Sequence, residues 1–163
     1  QDYLVSSYIY SAKPKKHIDV GSRLDGFVSS VAVYRNIEVI DIRNNDTNLK
    51  NIRFHKGDIN NIDSSFYNST DSLSCLHTVE HIGLARYGDS PDPKGHIKAF
   101  ENLLKILNHY IVQRVQKRHT KHSSQFYLMK MAIKKFDFLF GLISHRLLFL
   151  TTYLFNSLIR IIY

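Results

Sequence analysis

Three acidic residues near the ends of short apolar runs have the types and spacing of a nucleotide-binding site. Asp19 lies in a run that ends at Gly21, Asp41 ends a second run 20 residues later, and Asp58 follows a third. Glycine lets the backbone turn tightly and approach a ligand, and an acid ending the second strand is placed to accept hydrogen bonds from ribose hydroxyls. Asp58 is placed to hold an adenine amino group while Ile59 packs on the ring. The predicted nucleotide site comprises Asp19, Gly21, Ser22, Arg23, Gly26, Asp41, Asp58 and Ile59.

A second group of polar residues follows a fourth apolar run. Its members His77, Glu80 and His81 are candidates for proton transfer, because sites in α/β proteins open beyond the carboxyl ends of the strands. The loop after them is predicted to cover the substrate side with Arg86, Tyr87, Asp89 and His96. A purely structural interpretation is also open, in which Glu80 caps the next element, His81 only packs and the loop is a solvated turn.

The segments that position these residues alternate between strand and helix. Short apolar runs predict strands at residues 17–20, 38–42, 52–55 and 71–76. Helical spacing of apolar residues predicts helices from residue 23 to about 34 and from residue 92 to about 107. This alternation predicts an α/β fold with a Rossmann-like parallel sheet and helices on both faces.

Residues 17–107 form the predicted nucleotide-binding domain. The β-prone run at residues 3–10 predicts that residues 1–16 are a short strand or a leader. Residues 61–70 are polar with a small apolar set, which predicts one short helix or a loop.

Composition and charge restrict the class of protein. The 163 residues fit one domain, and a hydrophobic content of 44% allows a sizeable core. Residues 1–108 hold 13 Lys/Arg and 13 Asp/Glu, so the net charge of +8 comes from residues 109–163, which hold 9 Lys/Arg and one acid, Asp137. We therefore expect no nucleic-acid partner. The single cysteine, Cys75, precludes an intrachain disulfide and suits a cytoplasmic setting.

The order of the motifs is similar to that of class I S-adenosylmethionine-dependent methyltransferases. Asp19-Val20-Gly21, Asp41 and Gly57-Asp58-Ile59 resemble their successive cofactor motifs, and residues 76–82 resemble the motif after the fourth strand of small-molecule methyltransferases. More closely, residues 17–107 resemble a family of uncharacterised methyltransferase-like proteins first catalogued from nematodes, a domain of unknown function. The shared motifs are residues 19–26, 71–77 and 86–96.

The resemblance implies S-adenosylmethionine as the cofactor and methyl transfer to an unknown small-molecule or other acceptor. Methyl transfer mainly requires alignment of donor and acceptor, because the sulfonium is a good leaving group. His77, Glu80 and His81 are then candidate bases for an acceptor hydroxyl or nitrogen. The first turn departs from the common Gly-Xaa-Gly-Xaa-Gly, since Ser22 and Arg23 replace its middle, and Arg23 is predicted to contact the ligand's carboxylate.

Three other interpretations are open. Residues 77–81 match the His-Xaa-Xaa-Glu-His motif of inverted zinc proteases, which needs both histidines on one helical face, although we expect no metal. The glycine turn and Asp41 also suit a nicotinamide cofactor. A non-catalytic relic or a truncated product would keep the fold without turnover. The sequence has neither a Gly-Xaa-Ser-Xaa-Gly nor a Gly-Lys-Ser/Thr motif, which disfavours serine hydrolases and P-loop proteins.

Residues 108–163 have neither the Gly-rich turn nor the fifth strand expected next. The longest uncharged stretch of this basic and apolar tail, residues 147–159, has 13 residues, short of the roughly 20 that span a bilayer. A membrane-surface segment, a helical hairpin and an out-of-frame or mispredicted segment are the three interpretations. We favour the last, so membrane contact is not favoured and the sheet is expected to be incomplete at its C-terminal end.

Overall fold

Four short strands form an all-parallel sheet in this computed structural model, which describes residues 2–45 and 48–109. The strands are β1 (His17–Val20), β2 (Ile37–Asp41), β3 (Ile52–Lys56) and β4 (Ser72–Ser74), in the order β3-β2-β1-β4. The predicted α/β class with a parallel sheet is confirmed. The chain builds outward from β1 to β3 and then crosses back to β4, so the strand order reverses at β1, where ligands bind in open α/β sheets.

Helical segments connect these strands. The first helix, α1 (Asp2–Ala12), precedes β1, and a π-helical turn at Leu24–Val28 runs directly into α2 (Ser29–Ala32). The backbone of Gly26, with φ −120° and ψ −106°, interrupts this segment. The single helix expected over residues 23–34 is therefore two short pieces.

The last helix of the described chain, α3 (Gly95–Ile106), follows β4 after a long connection. It begins three residues later than predicted, because the Gly95 N–H donates to the Asp92 carbonyl (2.9 Å) and closes a turn before the helix. Its N-cap residue, Lys94, is held in this turn by a hydrogen bond from its N–H to the Asp92 carboxylate (2.8 Å).

Between β3 and β4 the chain forms two 3-10 turns, Ile59–Asn61 and Ser64–Phe66. Each begins after an aspartate, Asp58 or Asp63, whose carboxylate accepts a hydrogen bond from the N–H two residues later. This side-chain bond competes with longer helix formation, so the segment is a series of short turns.

The two faces of the sheet bury different kinds of side chain. Successive strand residues point to opposite faces, and Ile18 and Val20 of β1 share a core cluster with Leu103 of α3. His17 and Asp19 therefore point to the other face, where the His17 ring lies edge-on to Phe27, with 6.2 Å between ring centroids. Helical segments thus flank both faces, and one face carries a buried polar layer.

Residues Asp2–Ala12 form a helix, which corrects the short strand predicted over residues 3–10, whereas the alternative of a leader stays a prediction. Val5 and Ile9 of α1 are buried, with exposures of 4% and 0%, and the helix contacts both α2 and the π-helical turn. Their spacing of four residues places them on one helical face. The strand was predicted because the segment is rich in aromatic and β-branched residues, and the helical spacing of Val5 and Ile9 was given less weight.

After α3 the described chain returns to the edge of the sheet. Leu107 forms a parallel bridge with Thr70, just before β4, and the Asn108 N–H donates to the Thr70 carbonyl (2.7 Å). In the described part of the chain, no helix has the length and apolar character needed to cross a membrane. The predictions for residues 110–163, including the missing fifth strand and the out-of-frame interpretation, lie outside the described residues.

If α1 is part of the folded domain, Ile9→Ala will lower the free energy of unfolding by about 2–5 kcal/mol, because it removes buried methylene groups and leaves a cavity. Chemical denaturation measures this change. Tyr3→Ala in the same helix is the control, since Tyr3 is 85% exposed and should change the value by no more than about 0.5 kcal/mol. Equal effects of the two substitutions would contradict the packing of α1.

Candidate functional site

A cleft of about 450 Å³ opens beyond the carboxyl ends of the strands. This is the reversal point of the strand order, where open α/β sheets bind ligands. Most of the predicted site residues line it: Gly21, Ser22, Arg23, Gly26, Asp41, Asp58, Ile59, His77, His81, Tyr87 and Asp89. Four predicted residues do not: Asp19, Glu80, Arg86 and His96.

Asp19 does not line the cleft, but it binds Ser22, which does. Its fully buried carboxylate accepts hydrogen bonds from the Ser22 N–H (3.0 Å), the Ser22 hydroxyl (2.9 Å) and the Ser74 hydroxyl. Burial raises the pKa of Asp19 to about 6, although the hydrogen bonds from Ser74 and Ser22 oppose this rise. Asp19 therefore holds the Gly21-Ser22 turn against β4 and does not itself face the cleft.

His17 extends the buried polar layer along β1 and β4. Its Nδ1 lies 2.7 Å from the Ser72 hydroxyl and its Nε2 lies 3.1 Å from the Ser74 hydroxyl. Burial, reinforced by the charge of Arg35, lowers the pKa of His17 to about 3, so the ring is neutral near pH 7. This buried group was not predicted from the sequence, although polar residues at alternate positions of two apolar strands are a signal for it.

The turn after β1 requires glycine for two reasons. Gly21 has φ +79°, and a Cβ there would lie 2.3 Å from Thr78 Cγ2. Its N–H also donates to the Ile40 carbonyl (2.9 Å), which ties the turn to β2. The expected tight turn is present. The backbone of Gly21 lies close to Thr78, a residue that was not predicted to belong to the site.

Asp41 ends β2 with its side chain only 3% exposed, and Arg43 covers it. The Arg43 N–H and Nε donate to Asp41 Oδ1 at 2.8 and 3.0 Å, and Nη2 donates to Oδ2 and to the Gly21 carbonyl (3.0 Å). The guanidinium carbon lies 5.4 Å from the centre of the Tyr87 ring, a cation–π distance. Arg43 was not predicted to be a site residue. Its position two residues after Asp41 is the only feature of the sequence that indicates this role.

Asp58 and Ile59 bring a carboxylate and an apolar side chain to the cleft beyond β3. The Asp58 carboxylate accepts hydrogen bonds from the Asn60 N–H (2.9 Å) and from Asn61 Nδ2 (3.0 Å). Ile59 is 5% exposed and packs in the core cluster with Ile18. Both side chains are therefore fixed in place before any ligand arrives.

At the open side of the cleft, Arg23 pairs with Asp25. The two side chains are 76% and 66% exposed, and Arg23 Nε donates to Asp25 Oδ1 at 3.0 Å. Gly26 lines the cleft beside Asp2, whose Oδ2 would lie 2.9 Å from a Cβ built on Gly26. The contact predicted between Arg23 and a ligand carboxylate stays a prediction.

His77 has an unusual backbone conformation just beyond β4. Its φ of +55° is in the left-handed region that few non-glycine residues adopt. Such residues cluster at functional sites, where the surrounding structure holds them in place. His77 Nδ1 lies 3.7 Å from Glu80 Oε1, and a 3-10 turn at Val79–His81 brings His81 to the same cleft.

This short turn differs from the helix that an inverted zinc-protease motif requires, because His77 lies outside Val79–His81. In the described ranges, no three His, Cys, Asp or Glu side chains are grouped to share a metal ion. His77 and His81 are therefore not presented by one helical face.

The loop after His81 is organised around Asp89. One Asp89 carboxylate oxygen accepts hydrogen bonds from the Gly83 N–H (2.7 Å) and the Ala85 N–H (3.2 Å), and the other accepts one from the Tyr87 N–H (3.2 Å). The Asp92 N–H donates to the Gly83 carbonyl (3.0 Å) and closes the base of the loop. Asp89 thus shapes the loop from within as well as lining the cleft.

Tyr87 of this loop also lines the cleft. Its ring lies edge-on to His81, with 6.0 Å between centroids. Arg86 lines no part of the cleft, and its Nη1 lies 3.5 Å from His81 Nδ1. His96 belongs to α3 and lies outside the cleft lining.

A comparison of the chain with protein-family models, with curated proteins and with solved structures found no match. The assignment of the site therefore depends on its geometry and chemistry.

The raised pKa of Asp19 predicts a specific pH dependence of stability. Between its ordinary value of 3.8 and about 6, the folded state holds a proton that the unfolded state has lost. Stability from this group is thus present below pH 3.8 and is lost as pH rises to about 6, by roughly 3 kcal/mol. Unfolding measured from pH 4 to 6.5 should therefore show Asp19→Asn gaining stability relative to wild type as pH rises, and a constant difference would contradict the burial of an ionisable Asp19.

The substitution His17→Gln should have the opposite pH dependence to Asp19→Asn. Because the pKa of His17 is lowered from 6.5 to about 3, the unfolded state binds the extra proton between these values and wild-type stability from this group rises with pH. The advantage of His17→Gln over wild type should therefore be largest near pH 3 and disappear above about pH 6.5. A difference that instead grows as pH rises would contradict the lowered pKa of His17.

Proposed function

We propose that the cleft binds S-adenosylmethionine and that the protein is an S-adenosylmethionine-dependent methyltransferase of an unidentified small-molecule acceptor. One observation carries the proposal: the carboxyl ends of β1, β2 and β3 bring the Gly21 turn, Asp41 and the Asp58-Ile59 pair into one cleft. In this proposal the Asp41 carboxylate binds the ribose hydroxyls, and Asp58 and Ile59 contact the adenine. The backbone of the Gly21 turn lies next to the part of the ligand that is attached to the ribose.

The charge of the cleft supports a cationic ligand. Its lining includes two arginines, Arg23 and Arg43, and a larger number of aspartates: Asp2, Asp25, Asp41, Asp58 and Asp89. An excess of carboxylates stabilises a sulfonium cation and disfavours a dinucleotide pyrophosphate, which is negatively charged. The interrupted helix at Gly26 also offers no regular N-terminal turn to a pyrophosphate.

The chemistry required of the protein is modest. The acceptor atom forms a bond to the methyl carbon as the carbon–sulfur bond breaks, and the electron pair stays on sulfur to give S-adenosylhomocysteine. Any proton on the acceptor must leave, and in this proposal His77 or His81, which both line the cleft, takes it as the general base. Alignment of the two reactants within the cleft supplies most of the remaining rate enhancement.

The experiment is isothermal titration calorimetry with S-adenosylmethionine and S-adenosylhomocysteine on wild type and Asp41→Asn. Wild type should bind both, and Asp41→Asn should bind each at least about tenfold more weakly, because charged hydrogen bonds to the ribose are lost. Asp63→Asn is the control. The Asp63 carboxylate likewise accepts the N–H two residues on, from Ser65 (2.8 Å), but it does not line the cleft.

Folded wild type that gives no heat with either ligand would contradict the proposal. Heat with a nicotinamide dinucleotide alone, lost in Asp41→Asn, would assign the cleft to that cofactor instead. Equal weakening by Asp41→Asn and Asp63→Asn would show that the effect is one of stability and not of contact with the ligand.

A further inference from the structure

Arg43 occupies the hydrogen-bonding positions on Asp41 that a ribose would use. Both Asp41 carboxylate oxygens accept hydrogen bonds from the guanidinium, with Nε 3.0 Å from each of them. Only 3% of the Asp41 side chain is exposed, against 33% for Arg43. The outer surface of the carboxylate is thus the guanidinium itself, and a ligand hydroxyl reaches Asp41 only where Arg43 has moved.

The same guanidinium joins two other parts of the cleft. Its Nη2 donates to the Gly21 carbonyl (3.0 Å), and its plane lies near the Tyr87 ring of the loop after His81. Movement of Arg43 away from Asp41 therefore also breaks its contacts with the Gly21 carbonyl and with the Tyr87 ring. The exposed Arg23–Asp25 pair on the open side makes no comparable contact, since its carboxylate is 66% exposed.

We infer that Arg43 is a gate on the ribose subsite, which binds Asp41 in the free protein and is displaced by the two hydroxyls of a ribose. The inference depends on the proposed function, because it concerns the same cleft and the same carboxylate. It assigns Arg43 a specificity role: the part of the binding energy that comes from the diol is reduced by the cost of breaking a bidentate, charge-assisted pair.

A gate of this kind has an effect that a structural residue lacks. Removing the Arg43 side chain strengthens the binding of ligands that use Asp41, because the competing guanidinium donors are gone and only the backbone N–H of residue 43 still donates to the carboxylate. Removing it does not strengthen the binding of a ligand without ribose hydroxyls, since that ligand never competes for the carboxylate. The dependence of the gain on the diol separates gating from a general change in stability or charge.

The test measures the affinity of adenosine and of 2′,3′-dideoxyadenosine by calorimetry for wild type, Arg43→Ala, Arg43→Lys and Arg53→Ala. Both probes are neutral, so the loss of one positive charge has little direct effect on them. Arg53 is an exposed arginine of β3 that does not line the cleft, which makes Arg53→Ala the matched control. Arg43→Lys keeps a cation beside the buried Asp41 and serves if Arg43→Ala does not fold.

Adenosine should bind about tenfold more tightly to Arg43→Ala than to wild type, with a smaller gain in Arg43→Lys because lysine cannot form the bidentate pair. The ratio of the affinities for adenosine and 2′,3′-dideoxyadenosine should therefore rise about tenfold in Arg43→Ala and stay at the wild-type value in Arg53→Ala. Adenosine binding that is unchanged or weaker in both folded Arg43 variants would overturn the gate and leave the proposed function standing. Equal gains for the two nucleosides would also overturn it. No binding of either nucleoside by any variant would overturn the proposed nucleoside site itself.

Discussion

The carboxylate of Asp19 is buried between β1 and β4, and the geometry of the cleft depends on it. Ser74 on β4 and Ser22 in the turn both donate to this carboxylate, so Asp19 holds the turn after β1 and strand β4 together. A buried carboxylate with fewer donors would be strongly destabilising. The network extends to His17, which bridges Ser72 and Ser74 and stays neutral because its pKa is lowered by burial.

The position of the other site residues follows from this fixed turn. Gly21 is held against Ile40 of β2 and against Thr78 after β4, so the first turn is set by both neighbours of β1. Arg43 then spans from Asp41 to the Gly21 carbonyl. The cleft is thus built from strand ends that are joined by short polar contacts, and the loop that carries Tyr87 also lines it.

Much of this arrangement could be predicted from sequence. Buried parallel strands leave short apolar runs, and a glycine or an acid directly after such a run must lie at the carboxyl edge of the sheet. That rule located Gly21, Asp41 and Asp58, and the cleft contains all three. The parallel sheet was predicted from the alternation of strand and helix, but its strand order β3-β2-β1-β4 was not.

The remaining features depend on tertiary contacts that no local pattern encodes. The strand-like composition of α1 concealed a helix, because burial of Val5 and Ile9 decides its conformation. Arginine usually lies at the protein surface, so the sequence alone does not indicate that Arg43 covers the Asp41 carboxylate. The positive φ of His77 likewise has no signature in the sequence.

The most direct test of the central claim is a titration of the ¹⁵N-labelled protein with S-adenosylhomocysteine, followed through backbone amide chemical shifts. Binding in the cleft predicts that the largest changes occur at Gly21, Ser22, Asp41 and Ile59, with little change at Lys98 and Glu101 on the exposed face of α3, which does not line the cleft. A saturating titration without shifts at the four cleft amides, or with the largest shifts on α3, would contradict the assignment of the cleft as an S-adenosylmethionine site.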